Sequence, residues 1–118
     1  MPFLLLAYTR EQYLSATERE ARRAAADELS RELQSTGQYL ASVALQAPWA
    51  AMCIRFRNGN RFITNGPFSE AREQLERFFL VEVEDLNQAL AIAARVPIGT
   101  TGTEEIREIP VGPPVTHK

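Results

Sequence analysis

The sequence predicts an α+β fold: one antiparallel sheet, two main helices on one of its faces, and an added β-hairpin. Three observations carry this. Two segments repeat apolar residues at helical spacing, and each is flanked by short apolar runs of strand length. Asn58-Gly59 separates two alternating stretches, a strong signal for a tight hairpin. The order strand, helix, strands, then strand, helix, strand makes two crossover units, the split βαβ plan of ferredoxin-like folds.

The elements follow in order. Residues 2–8 are apolar on both faces, which predicts a central strand. Thr17-Glu18-Arg19-Glu20 has the capping-box pattern and opens a long helix reaching about residue 36. Ala21, Ala25, Leu29 and Leu33 form its apolar side, with Ala24 and Ala26 beside them. Arg19, Arg22, Arg23, Asp27, Arg31 and Glu32 form its polar side, and Gly37 ends it. Residues 39–45 read as a second strand, broken by Pro48. In residues 51–57, Met52, Ile54 and Phe56 face one way and Cys53, Arg55 and Arg57 the other. Residues 61–64 return beyond Asn58-Gly59. A short charged helix or turn is expected over residues 69–75. Residues 78–84 form a further strand with Phe79, Val81 and Val83 on one face. Asp85-Leu86-Asn87-Gln88 caps the second helix, with Leu86, Ala89, Leu90, Ala93 and Ala94 as its stripe and Pro97 as its stop. Residues 103–109 close the sheet. One domain is expected over residues 1–110, with 111–118 as a flexible tail.

The 118 residues suffice for one core. A hydrophobic content of 45% and a charged content of 24% are those of a globular protein. The net charge of −2, with both signs mixed along the chain, provides no electrostatic basis for nucleic acid or an anionic membrane as a partner. A single cysteine, Cys53, rules out an internal disulfide and fits a reducing compartment, so a cytoplasmic location is expected. The apolar run Phe3-Leu4-Leu5-Leu6-Ala7 is too short to span a membrane and lacks a basic flank and a cleavage site; it reads as a buried strand. With both helices on one sheet face, the apolar residues of the other face need cover. A homodimer with sheets face to face meets that need.

The most distinctive stretch is Arg61-Phe62-Ile63-Thr64-Asn65-Gly66-Pro67-Phe68-Ser69-Glu70. Asn65-Gly66 tolerates positive φ, and Pro67 restricts Gly66, so the loop is rigid and can present groups to a ligand. Asn65 either hydrogen-bonds a polar ligand or bonds its own backbone in a turn. Ser69 has no base at a readable spacing and reads as a helix cap with Glu70 in the first turn. Arg55, Arg57 and Arg61 lie on one hairpin, with Arg57 and Arg61 nearly opposite; they hold an anion or form a solvated face. Glu70, Arg72, Glu73 and Glu76 read as an exposed helical face. Tyr8, Tyr39, Trp49, Phe56, Phe68, Phe78 and Phe79 are aromatics enough to line a pocket; core or dimer interface is the better reading for most, with Phe68 and Trp49, beside prolines in loops, as the exceptions. The candidate ligand-binding set is therefore Asn65, Gly66, Pro67, Phe68, Arg55, Arg57, Tyr8 and Trp49. The pattern offers no metal-ligand cluster, no glycine-rich phosphate loop and no dinucleotide fingerprint, so no cofactor is expected.

Several segments taken together resemble the YCII-related proteins with a DGPF motif. They are Leu4-Leu5-Leu6-Ala7-Tyr8, residues 37–45 with Pro48, residues 64–75 from Thr64 to Leu75, Phe78-Phe79-Leu80-Val81-Glu82, residues 85–97, and Thr103-Glu104-Glu105-Ile106-Arg107. The resemblance implies a dimeric α+β-barrel fold. That superfamily includes small cofactor-free isomerases, dehydrochlorinases and monooxygenases as well as haem enzymes, and most DGPF-type members have no assigned activity. Two departures stand out. The family's signature aspartate is Asn65 here, and Glu76-Arg77 stands where Gly-Gly is common before the aromatic strand. The enzymes among distant relatives are credited with a His–Asp pair. The one histidine of this chain, His117, lies in the tail, so that pair is absent.

The expected function is a cytoplasmic homodimer that binds a small polar or aromatic molecule near residues 65–68, with no catalytic residues assigned. A cofactor-free isomerase or lyase using Tyr, Arg and Glu side chains is one alternative. A structural or transcription-linked interaction module is the other.

Overall fold

The computed structural model describes residues 1–10, 14–67, 72–99 and 101–110. Among them run β1 (Pro2–Thr9), α1 (Ala16–Ser35), β2 (Tyr39–Ala44), a 3-10 turn (Pro48–Ala50), β3 (Met52–Arg57), β4 (Asn60–Asn65), β5 (Gln74–Glu82), α2 (Leu86–Ala93) and β6 (Thr103–Glu108). The main sheet has the order β2-β5-β1-β6, with antiparallel neighbours throughout. β3 and β4 form a separate two-stranded sheet. The architecture is the expected ferredoxin-like α+β plan with a hairpin added.

β1 is central, as its two apolar faces require. Its odd-numbered residues Phe3, Leu5, Ala7 and Thr9 are buried. Phe3, Leu5 and Ala7 meet Phe79 and Val81 of β5, Ala26, Leu29 and Leu33 of α1, and Ala89, Ile92 and Ala93 of α2 in one core. Both helices therefore cover the same sheet face. The other face carries Leu4 and Leu6 of β1 opposite Leu80 and Phe78 of β5, with Ala41 and Val43 of β2 beyond them. These residues keep part of their surface, and Val43 is exposed.

The helix stripes differ from expectation. On α1 the buried residues are Ala26, Leu29 and Leu33, while Ala21 and Ala25 are exposed. A strict spacing of four drifts by about 40° per step around a helix of 3.6 residues per turn, so such a run leaves the core face. The i, i+3, i+7 set stays on it, and Arg22 shares that face one turn earlier. The N-cap is Ser15, whose hydroxyl accepts from Glu18 N–H while the Glu18 carboxylate accepts from Ser15 N–H. The capping box thus starts two residues before the expected Thr17. Gly37 follows the helix at φ 74°, as a C′ glycine should. On α2, Ala89, Ile92 and Ala93 are buried, whereas Leu86 and Leu90 are 51% and 46% exposed. The small Ala89 and Ala93 let the helix lie close to the sheet and turn both leucines to its flank. Asp85 caps this helix through Gln88 N–H at 2.9 Å.

The hairpin turns at Asn58 (φ 51°) and Gly59 (φ 78°), a two-residue loop with both φ positive. Its register pairs Arg57 with Asn60 and Phe56 with Arg61. Arg61 therefore lies on the face of Met52, Ile54 and Phe56, away from Arg55 and Arg57, and the three arginines do not share one side as expected. β5 begins at Gln74, so Gln74 and Leu75 belong to the strand and not to a charged helix. Ser69, Glu70 and Ala71 of that expected element lie outside the described residues, as does the tail 111–118.

The radius of gyration is 16.4 Å and the molecule measures 47 × 46 × 22 Å. A compact chain of this length has about 13.5 Å. The excess is consistent with a hairpin that stands out from the core. Met52, Ile54, Phe56 and Ile63 on one of its faces are 56–67% exposed.

Leu33 is 1% exposed at the centre of the α1–sheet contact. Leu33→Ala is expected to lower the unfolding free energy by about 2–5 kcal/mol in urea titration. A loss below about 1 kcal/mol would contradict this core assignment.

Candidate functional site

A β-bulge builds the most distinctive polar site. β1 pairs in simple register with β5 from Pro2↔Glu82 to Ala7↔Arg77, but the next pair is Tyr8↔Leu75. Glu76 is the extra residue. Without it, side-chain alternation would send Glu76 and Arg77 to opposite faces. With it, both turn toward α1. Arg77 is the register partner of Ala7, which is fully buried. Glu76 reaches Arg22 of α1, Nη1 to Oε1, at 2.6 Å.

These residues line a cleft of about 520 Å³ between the N-terminal half of α1, the segment 44–48 after β2, and the start of β5. Arg19, Arg22, Arg23 and Arg77 contribute four cations, and Glu20 and Glu76 two anions. Leu14, Leu45, Pro48 and Leu75 supply apolar wall. The volume lies within the range of small-molecule sites.

Two buried polar atoms here are left without a partner: Nε of Arg77 and Oε2 of Glu76. Arg77 is only 7% exposed. Burial pulls its pKa down from the ordinary arginine value; Glu76 and Asp27 oppose that pull, and Arg22 and Arg23 add to it. The group stays charged, because arginine does not lose its proton at ordinary pH. A desolvated guanidinium with an open donor favours an anion at that point.

A smaller cavity is lined by Tyr8, Glu73, Thr103, Glu104 and Glu105. Tyr8 donates its hydroxyl to Glu105 Oε1 at 3.2 Å, and Thr103 donates to Glu73 Oε1 at 2.7 Å. Burial, followed by the Glu105 hydrogen bond and charge, raises the Tyr8 pKa. Both carboxyl oxygens of Glu104 are buried without a partner, and burial pushes its pKa up to about 7.

The candidates expected from the sequence lie elsewhere, apart from Tyr8. Asn65 ends β4 on the exposed apolar face of the hairpin, opposite Met52. Gly66 takes φ 95°, donates its N–H to Ala51 O at 2.7 Å and accepts from Cys53 Sγ at 3.2 Å, so the loop before Pro67 is tied to β3. Arg55 and Arg57 share the opposite hairpin face, and Arg57 donates to Phe56 O. Trp49 sits in the 3-10 turn, 56% exposed. Phe68 lies outside the described residues. None of Asn65, Gly66, Pro67, Arg55, Arg57, Trp49 or Tyr8 lines the larger cleft. Among the described residues, no group of three or more His, Cys, Asp or Glu is placed to hold a metal, and no helix is long and apolar enough to cross a membrane.

Arg77→Met keeps the approximate volume of the side chain and removes a buried charge whose Nε has no partner. It is expected to raise the unfolding free energy by about 1 kcal/mol. A loss of more than about 1 kcal/mol would show that Arg77 holds the structure together instead.

Two comparisons with known proteins bear on this chain. The family model described as YCII-related domain matches residues 1–111. The chain is also similar to an uncharacterized protein of Rhizobium meliloti (strain 1021), 29% identical over 114 residues and covering 92% of each sequence.

Proposed function

The chain belongs to the YCII-related family, and from that premise we propose that it is a cytoplasmic homodimer that binds a small molecule in the cleft of Arg22, Glu76 and Arg77. The observation that carries this reading is Arg77 itself. A guanidinium 7% exposed, with Nε unpartnered and beside a cleft of about 520 Å³, is costly to the fold alone. Ligand binding gives that cost a use. The site lies on the helix side of the sheet, so a second copy on the open face leaves it accessible. Support for the second copy comes from the apolar face of Leu4, Leu6, Phe78 and Leu80 and from the exposed hairpin, since a lone two-stranded hairpin is marginal in water.

The cleft is tested by thermal shift with a library of small carboxylates, phosphates and neutral aromatics, run in parallel on an Ala47→Trp variant that narrows the cleft. A ligand at 100 times its Kd stabilises the native state by about 2.7 kcal/mol. A saturable rise is expected in the wild type and not in the variant. Rises of equal size in both proteins, or none in either, would overturn the assignment to this cleft.

A second reading, a cofactor-free isomerase or lyase, is favoured by one observation: Glu104, on the helix-side face of β6 opposite Ala7, keeps both carboxyl oxygens buried without a partner, and a carboxyl that burial pushes up to about 7 suits a general acid or base. Its linkage to stability has a definite sign. The folded-state value is raised above the ordinary 4.5, so the favourable contribution is full below pH 4.5 and is lost as pH rises through about 7. The melting temperature of Glu104→Gln is expected to lack that decline. A wild-type decline that persists unchanged in the variant would assign it to another group.

A further inference from the structure

Two opposite features meet at the bulge. Glu76 and Arg77 are consecutive in the chain, yet the extra residue puts both side chains on the α1 side. Each keeps one buried polar atom open: an acceptor, Oε2 of Glu76, and a donor, Nε of Arg77. The two do not satisfy each other. Glu76 spends its other oxygen on Arg22 at 2.6 Å, and that ion pair, 11% and 17% exposed, fixes where the open oxygen stands. A ligand completing this arrangement brings an acceptor for the guanidinium and a donor for the carboxylate. A ligand with an acceptor alone leaves Glu76 Oε2 buried and unpaired, which costs about 1–3 kcal/mol. The excess of arginines favours a charged acceptor, and the apolar wall at Leu14, Leu45 and Pro48 favours an apolar body.

We propose that the cleft selects a small carboxylate with a hydroxyl on the adjacent carbon, a 2-hydroxy acid with an apolar substituent, its carboxylate facing Arg77 and its hydroxyl donating to Glu76. This assignment rests on the cleft reading above and deepens it. The ion pair with Arg22 acts as a positioning contact, since it holds Glu76 in place for the hydroxyl.

The test uses three matched probes: mandelate, phenylacetate, which lacks the hydroxyl, and mandelamide, which lacks the charge. Dissociation constants are read by calorimetry on the full chain. Mandelate is expected to bind about tenfold or more tighter than either analogue. In Arg77→Met the difference between mandelate and mandelamide should disappear. In Glu76→Gln, which keeps the shape of the side chain, the difference between mandelate and phenylacetate should narrow. Either analogue matching mandelate in the wild type would overturn the proposal, as would absence of binding by all three. The cleft itself fails separately: library ligands that bind equally well to Ala47→Trp would exclude it, whereas cleft ligands that are neutral or lack a donor would leave the cleft and exclude this ligand class.

Discussion

The pairing of β1 with β5, with its single bulge at Glu76, is the constraint on which the rest of the molecule depends. From Pro2 to Ala7 the register is uniform, so every odd residue of β1 enters the helix-side core and every even one faces the open side. Phe79 and Val81 then have to lie under the helices, and Leu80 and Phe78 have to lie away from them. The bulge ends this uniformity where the core thins toward the start of α1. It turns two charged residues inward at the end of an otherwise apolar strand pair. An apolar pair there would pack, and a charged pair in strict alternation would put one member in solvent. The bulge does neither, and the result is a polar recess beside the core.

The recess combines one well-formed ion pair with two buried polar atoms that have no partner. The Arg22–Glu76 pair is well formed, but it is one of several ways to satisfy Glu76, and burying it brings little net stability. Arg77 has a burial cost that nothing in the described chain offsets fully. Perturbed buried groups of this kind cluster at functional sites. The open sheet face presents a parallel case in apolar terms. Leu4, Leu6, Phe78 and Leu80 form a surface of core character, and the hairpin separately exposes Met52, Ile54 and Phe56. The recess and the open face lie on opposite sides of one sheet.

Much of the fold was legible in the sequence, because it rests on short-range signals. The central position of β1 follows from a run apolar on both faces. Asn58-Gly59 specifies the tight turn, Asp85 the second helix cap, and Gly37 the end of the first helix. The errors came where signals compete. Ser15-x-x-Glu18 and Thr17-x-x-Glu20 both fit a capping box, and the earlier one holds. The alanine-rich helix allowed two stripes, and tertiary contact selected Ala26, Leu29 and Leu33. The cleft was the hardest part to read. A bulge is a register property of two strands distant in sequence, and nothing local to Glu76-Arg77 marks it. The expected stripe of Ala21, Ala25, Leu29 and Leu33 places Arg22 on the polar side, and the observed stripe brings it to the core face.

Native mass spectrometry of freshly purified protein tests the central account most directly, because it reads the covered face and the filled recess together. The account predicts a dimer carrying a small acidic adduct, and an otherwise identical dimer without the adduct for Arg77→Met. A bare monomer would contradict it, since neither the open sheet face nor the buried guanidinium would then have the partner that this reading assigns to it.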